Sequence, residues 1–339
     1  MKALAIAAAL CLSVEVLAQP RWTPHLTGVT ARLRGLSVVS DRVLWASGTN
    51  GTVVCSTNGG DSWEIRPVPG AEHLDFRDVD AFNASIAYVL SIGNGDASRI
   101  YKTTDGGKTW ALQLANKDPK IFLDAMAFWS AERGLAFSDS VDGQFVIFET
   151  SNGGRTWERI PADRLPPALP NEGAYAASGS NVATFGNDHA WIGTTASRVL
   201  HSTDRGRTWT VAQTALPTSA SAGIFSIAFR DALHGIVVGG DYQKEDAAVD
   251  NAAVTSDGGN TWSLSKGLGG FRSAITYHKK TKGLWIAAGP RGLDMTVDDG
   301  RTWKPIANGG GFHAFVFSPS NRRAWGSGDR GMVARLEGF

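Results

Sequence analysis

Short, mainly apolar segments separated by polar, glycine-rich turns recur along most of the chain, and this pattern predicts many short β-strands. The first group of stretches predicts strands at 34–39, 43–48 and 52–57, followed by a fourth that begins at Trp63. The second strand of each group carries one large apolar residue. These residues are Trp45, Tyr88, Leu135, Trp191, Ile236, Trp285 and Trp325. The pattern therefore predicts an all-β protein with seven similar units.

One eight-residue motif, which we call the turn motif, occurs six times between predicted third and fourth strands. It reads Ser/Thr, any residue, Asp/Asn, any residue, Gly, any residue, Ser/Thr, Trp. The third side chain can accept hydrogen bonds from backbone N–H groups, and the glycine permits a positive φ angle. The third and eighth positions are Asn58 and Trp63, Asp105 and Trp110, Asn152 and Trp157, Asp204 and Trp209, Asp257 and Trp262, and Asp298 and Trp303. Because Asn replaces Asp twice, we interpret these residues as structural rather than catalytic or metal-binding.

The spacing of the motifs predicts a β-propeller. Successive motif tryptophans lie 47, 47, 52, 53 and 41 residues apart, which is the period of four-stranded propeller blades. The last unit, 312–336, has three strands, and the segment 22–26 begins with a Trp as every fourth strand does. We therefore expect a seven-bladed propeller of four-stranded blades, which 22–26 closes by pairing beside 332–336.

The first 18 residues read as a secretory signal peptide. Lys2 precedes an apolar run at 3–12, and Ala18 provides a small residue at the expected cleavage point. This assigns 1–18 to the signal peptide and 19–339 to one propeller domain, in the periplasm or outside the cell. Cys55 is then the single thiol of the mature chain, and we expect it to be buried in a strand.

Composition removes several classes of function. A net charge of +1, with 19% charged residues, argues against a nucleic-acid-binding protein. No run after the first 18 residues has the length and apolar character of a membrane span. The His residues show no metal-ligand spacing, so we expect no metal site. We also expect no cofactor, and we expect the protein to be a monomer.

The start of each predicted first strand supplies the candidate site. Aligned across the seven units, these residues are Arg34, Arg77, Asp124, Gly173 (beside Glu172), Phe225, Arg272 and His313. After ring closure, Arg272, His313, Arg34 and Arg77 would form a basic arc at the channel mouth, suited to a carboxylate, a phosphate or an acidic peptide. The alternative is that each arginine pairs with a nearby acid such as Asp75, Asp78 or Asp80.

A longer loop at 241–251 adds further candidates to the same face. Asp241, Tyr242 and Lys244 would either contact a ligand or hold the loop by hydrogen bonds. Loops that vary while a scaffold repeats are where recognition usually occurs.

The motifs, the repeated strands and the closure at Trp22 resemble the BNR/Asp-box propellers of the photosystem II stability/assembly factor family. The resemblance covers nearly all of the predicted mature chain. It implies a WD40/YVTN-like propeller that binds a protein segment through an arginine patch, which Arg34, Arg77 and Arg272 would match. The partner expected from it is a protein or peptide segment, or an anionic small ligand or glycan.

An enzyme is the competing interpretation. Asp-boxes are also found in sialidase-like glycoside hydrolases, which use an arginine cluster and paired carboxylates. Asp124 and Glu172, in adjacent units, would be the two carboxyl groups. The segment Arg21-Trp22-Thr23-Pro24 does not match the Arg-Ile-Pro start of those enzymes, and seven units differ from their six.

Overall fold

The computed structural model describes residues 21–307 and 309–338, which form seven four-stranded antiparallel sheets. The segment 1–18, where we expect the signal peptide, lies outside the described residues. In the described part the strands are joined by turns and loops, and the helical segments are three short 3₁₀ turns at Gly95–Ala97, Ala162–Arg164 and Asp329–Gly331. The all-β, seven-bladed propeller predicted from the sequence is confirmed.

Each sheet is one blade, and its strands follow one another in the chain. Blade 1 contains β2 (Leu33–Val38), β3 (Leu44–Gly48), β4 (Val53–Ser56) and β5 (Glu64–Ile65). Blade 2 contains β6 (Asp75–Ala81), β7 (Ala87–Ile92), β8 (Arg99–Thr103) and β9 (Ala111–Ala115). Blade 3 contains β10 (Leu123–Ser130), β11 (Arg133–Val141), β12 (Gln144–Thr150) and β13 (Glu158–Arg159). Blade 4 contains β14 (Val182–Phe185), β15 (His189–Gly193), β16 (Arg198–Ser202) and β17 (Thr210–Gln213).

The remaining three blades complete the ring. Blade 5 contains β18 (Ala222–Phe229), β19 (Gly235–Asp241), β20 (Ala252–Thr255) and β21 (Ser263–Leu264). Blade 6 contains β22 (Ala274–Tyr277), β23 (Trp285–Gly289), β24 (Gly292–Thr296) and β25 (Lys304–Ile306). Blade 7 contains β26 (Phe312–Phe317), β27 (Ala324–Gly328), β28 (Met332–Glu337) and the N-terminal β1 (Arg21–Leu26).

Blade 7 is closed by the first strand of the chain, as expected. β1 pairs antiparallel with β28, with Trp22 opposite Leu336 and Leu26 opposite Met332. The Trp22 ring stacks on Phe312 with 4.8 Å between centroids. This pairing removes the open sheet edges that an unclosed array would expose.

The turn motifs share one hydrogen-bond pattern. In the second copy, the Thr103 hydroxyl accepts the Gly107 N–H at 2.8 Å, and Asp105 accepts the Thr109 N–H at 2.9 Å. The bonds from Thr109 lower the pKa of Asp105 to about 2. Where Asn58 replaces Asp, its Nδ2 donates to the Ser62 hydroxyl at 2.8 Å, so the turn is kept with one bond reversed.

The motif glycine also explains how neighbouring blades pack. A Cβ on Gly60 would lie 2.7 Å from Trp325, the large apolar residue of the preceding blade. Gly259 approaches Trp191 of its preceding blade in the same way. The seven large residues of the second strands, identified above, are all between 0 and 1% exposed. The core therefore consists of seven layers between blades, and Cys55 is buried in one of them as expected.

Candidate functional site

A cavity of about 640 Å³ opens where the first strands of several blades begin. We call it the mouth cavity. One side is basic, and the opposite side is aromatic. The basic side contains Arg32, Arg34, Arg77 and His313. The aromatic side contains Tyr175, Phe225, Tyr242 and Phe271. A cavity of this size is typical of a site for a small ligand or a short segment of chain.

β-Bulges explain why particular residues reach the cavity. A bulge inserts one residue into a strand and changes where its side chain points. The register of the first strand shifts at the candidate residue in five blades. These residues are Arg34, Arg77, Asp124, Phe225 and His313. Four of the five line the mouth cavity, and Asp124 is buried.

Arg34 is the least neutralised cation of the cavity. Its Nη1 donates to the Ala177 carbonyl at 3.3 Å, and its Nε is buried without a hydrogen-bond partner. No carboxylate within the described ranges forms an ion pair with it. Burial, followed by the charges of Arg77 and Arg32, lowers the pKa of Arg34 to about 10, so the guanidinium stays charged at neutral pH. Its position is favourable for an anion.

The other basic residues have partners. Arg77 pairs with Asp75 at 2.8 Å, which is the alternative pairing considered from the sequence, and also donates to the Ala176 carbonyl. Arg32 pairs with Asp329 at 2.7 Å, and His313 bonds to the same carboxylate at 3.1 Å. Burial lowers the pKa of His313 below its ordinary value, so this residue is neutral near pH 7. Arg34 is therefore the cation of the basic side that has no carboxylate partner among the described residues.

Arg272 does not lie where the aligned sequence placed it. It is 3% exposed, and its guanidinium pairs with the fully buried Asp294 at 2.6 Å. Arg272 precedes β22, which begins at Ala274, and its side chain turns into its own blade, whereas its neighbours Phe271 and Ser273 line the cavity. The continuous arc of four cations is thus interrupted at blade 6.

The aromatic side is a packed cluster from three blades. Tyr175 stacks on Phe225 with 3.9 Å between centroids and 3° between planes. Tyr242 meets Phe225 edge-on at 6.1 Å, and Phe271 does so at 4.6 Å. Tyr242 remains 44% exposed, so part of the cluster is open to a ligand.

The segment 173–181 crosses the channel and forms the floor of the cavity. Ser178 donates to the Ser273 carbonyl of blade 6, and Ser180 bonds to Ser226 of blade 5 at 2.7 Å. The carbonyls of Ala176 and Ala177 accept from blades 2 and 1. Sequence comparison between units missed this floor because the segment is not repeated. Its run of small residues is the signal that was present.

The loop candidates divide between ligand and loop roles. Tyr242 lies in the mouth cavity. Asp241 accepts the Gln243 N–H at 2.9 Å, and Lys244, 77% exposed at its side chain, approaches Asp241 at 4.0 Å. Asp241 and Lys244 therefore have contacts within the loop itself.

The two carboxyl groups of the hydrolase interpretation are buried away from the mouth cavity. Glu172 is enclosed by Arg198, the Thr194 hydroxyl at 2.7 Å and the Leu169 N–H at 2.8 Å. Asp124 is fully buried, and burial together with the charge of Asp139 raises its pKa well above the usual value. Neither residue lines the cavity, so neither would reach a glycosidic bond held there.

The described part of the chain has neither a candidate metal site nor a candidate membrane-spanning helix. Residues 21–307 and 309–338 contain no group of three or more His, Cys, Asp or Glu arranged to hold a metal ion. Over the same ranges, no helix combines the length and hydropathy needed to cross a membrane.

Comparison with known proteins shows the fold. No protein-family model and no curated protein matches the sequence. Similar structures include YCF48 bound to a D1 peptide (TM-score 0.66, 18% identity, 93% of this chain and 96% of that chain). YCF48 from Cyanidioschyzon merolae is also similar (TM-score 0.66, 17% identity, 93% and 98%). The GH74 enzyme of Niastella koreensis gives a TM-score of 0.63 at 15% identity over 92% of this chain and 53% of that chain. These likenesses place the chain among β-propellers.

Proposed function

We propose that this protein is a secreted, non-catalytic binding propeller that holds a protein segment at the mouth cavity. The observation that carries the proposal is Arg34, a partly buried cation without a carboxylate partner in the described structure. A bound carboxylate would satisfy its free N–H groups, and such charge-assisted bonds are stronger than neutral ones. An assembly-factor role, as in the family that the sequence resembles, is the finer form of this proposal.

The two sides of the cavity define the kind of segment. A carboxylate would bind to the basic side at Arg34, and an apolar or aromatic side chain would pack against Tyr242 and Phe225. YCF48, whose fold this chain shares, has been solved with a D1 peptide, which supports peptide binding as the use of such a propeller. The preferred ligand is therefore a peptide with an acidic residue beside an apolar one.

The test is peptide binding measured by fluorescence polarisation. Peptides with an acidic and an aromatic residue, and matched peptides lacking one or both, are titrated against wild type and Arg34→Ala. We expect the variant to bind the acidic peptides about 10-fold to 100-fold more weakly, since a hydrogen bond to a charged group contributes about 1.5–3 kcal/mol.

Arg155→Ala is the matched control, because Arg155 is an exposed cation in the turn motif of blade 3, outside the mouth cavity. It should bind like wild type. Equal affinity of Arg34→Ala and wild type for every peptide would contradict the proposal. Glycan turnover by wild type that disappears in Asp124→Asn would support the hydrolase instead.

A further inference from the structure

The face that carries the turn motifs has an uneven distribution of charge. On blade 6, its edge with blade 5 and the adjoining turn of blade 7, six exposed cations occur together. They are Lys266, Lys279, Lys280, Lys282, Arg301 and Arg322. None of the six forms an ion pair with a carboxylate in residues 21–307 or 309–338. We call this set the blade-6 patch.

Backbone contacts hold the patch on one surface. The Lys266 N–H donates to the Arg301 carbonyl at 3.0 Å, which joins the end of blade 5 to the turn motif of blade 6. The Asp299 N–H donates to the Gly283 carbonyl at 3.2 Å, which brings the turn with three lysines beside that motif. Lys279 N–H donates to the Asn321 side chain at 2.8 Å, which continues the surface into blade 7.

The nearby carboxylates form their hydrogen bonds with residues outside the patch. Asp298 accepts the N–H and the hydroxyl of Thr302 within its turn motif. Asp299 forms two hydrogen bonds with Arg230, at 3.0 and 3.2 Å. Neither carboxylate forms an ion pair with a lysine of the patch, so the positive charges of the patch outnumber the negative charges beside them.

A groove of about 690 Å³ runs between blades 5 and 6 beneath these cations. Lys266, Lys282 and Arg301 line it, together with the hydroxyl of Ser263. Such a groove has donors and room for a phosphate group. Cations around a polar groove fit a phosphorylated headgroup better than an apolar ligand.

Exposed aliphatic side chains adjoin the cations. Leu264 lines the groove and is 39% exposed, and Val297 in the turn motif of blade 6 is 67% exposed. Binding to an anionic membrane surface is strengthened both by cations and by apolar side chains that enter the interface beside them. Leu264 and Val297 have no aromatic ring, so they can enter the acyl boundary but cannot stack on nucleic-acid bases.

We propose that the blade-6 patch docks this protein on an anionic phospholipid bilayer. The cations bind lipid phosphates, the groove holds a headgroup, and Val297 and Leu264 insert at the interface. This proposal does not depend on the ligand of the mouth cavity. In the docked state, the turn-motif face of blade 6 lies against the lipid.

The test is co-sedimentation of the full mature chain with vesicles. Vesicles of phosphatidylglycerol and phosphatidylethanolamine are compared with vesicles of phosphatidylcholine at low and high salt. Each cation near an anionic surface strengthens binding by about fivefold, so Lys279→Glu, Lys280→Glu and Lys282→Glu together should weaken it by about a hundredfold or more. Val297→Ser should weaken binding by a few fold and leave its salt dependence intact.

The matched control reverses three cations of other turn motifs, with Lys108→Glu, Arg155→Glu and Arg207→Glu together. It changes the net charge equally on blades 2 to 4, and it should sediment like wild type. Circular dichroism and thermal unfolding confirm that both triple variants fold. Wild type that prefers neutral vesicles, or a control that loses as much binding as the patch variant, would overturn the proposal. Binding of single-stranded DNA through the patch without vesicle binding would overturn it as well.

Discussion

Blade 1 and blade 6 each have an arginine near the start of the first strand, but the two side chains have different surroundings. In blade 1 a bulge directs Arg34 into the mouth cavity, where it has no carboxylate partner among the described residues. In blade 6, Arg272 lies two positions before β22 and is buried against Asp294. The position of an arginine relative to the start of its first strand thus decides whether its side chain faces the cavity or the interior of the blade.

Arg272→Ala should give the largest effect on this comparison. It leaves Asp294 buried and unpaired, so we expect the free energy of unfolding to fall by about 3–5 kcal/mol. Arg34→Ala removes a cation that lacks an ionic partner, and it should change stability by less than about 1 kcal/mol. Urea unfolding of both variants measures the difference. Equal losses would mean that the two arginines do not differ in role.

The double variant Arg272→Met with Asp294→Leu should be more stable than Arg272→Ala alone. Replacing both members of a buried ion pair by apolar residues removes the unpaired charge that makes single removal costly. We expect the double variant to recover at least half of the lost unfolding free energy in the same assay. If the double variant lost as much unfolding free energy as the single variants Arg272→Met and Asp294→Leu lose together, the two side chains would act independently.

Asp124 occupies in blade 3 the bulge position that Arg34 occupies in blade 1. Its burial predicts that the stability of the fold depends on pH. Burial raises the pKa of Asp124 well above its usual value and that of Asp139 to about 6. A carboxyl group whose pKa is raised in the folded state contributes its full stabilisation at pH values below its pKa in the unfolded state. That stabilisation is lost as the pH rises toward 6 and above. Asp124→Asn should therefore flatten the fall in stability between pH 4 and 7.

Thermal unfolding across that pH range measures this effect. Asp105→Asn is the control, because the pKa of Asp105 is lowered to about 2 and its titration in the folded state lies below the window. It should leave the slope between pH 4 and 7 unchanged. If Asp124→Asn keeps the wild-type slope, other groups dominate the pH dependence.

The smallest expected effect concerns Arg291 at the rim of the mouth cavity. Its Nε bonds to Glu245 at 3.0 Å, and its side chain is 64% exposed. Exposed ion pairs contribute about 0–1 kcal/mol, so Arg291→Ala should change the free energy of unfolding by less than about 0.5 kcal/mol. A larger loss in urea unfolding would show that the rim pair stabilises the loop of blade 5.

The ring was predictable because six of the seven blades repeat the same turn motif and all seven have a large buried residue in the second strand. The turn requires the hydroxyl and the Asp or Asn side chain of the motif, and packing against the preceding blade requires its glycine. The same residue types therefore recur at nearly constant spacing. Closure was predictable for a related reason, since Trp22 begins a strand as the motif tryptophans do. The repeated motifs therefore make the fold predictable from the sequence.

The site was only partly predictable. Alignment of the predicted strand starts found the bulge residues of five blades. In blade 6 it chose Arg272, although the strand begins at Ala274 and Phe271 and Ser273 line the cavity. The floor at 173–181 and the ion pair between Glu172 and Arg198 each occur once, so comparison between blades gives no sign of them. Features that occur in one blade therefore cannot be predicted by comparing the repeated units.

The pairing of β1 with β28 has a kinetic consequence. Trp22 and Leu336 are about 300 positions apart, whereas the strands of the other six blades meet close neighbours in the chain. Long-range closure of this kind is slow, because much of the chain's freedom is given up before the contact forms. We expect six blades to assemble early and the final one late, so that chaperones would encounter an open ring with Phe312 uncovered.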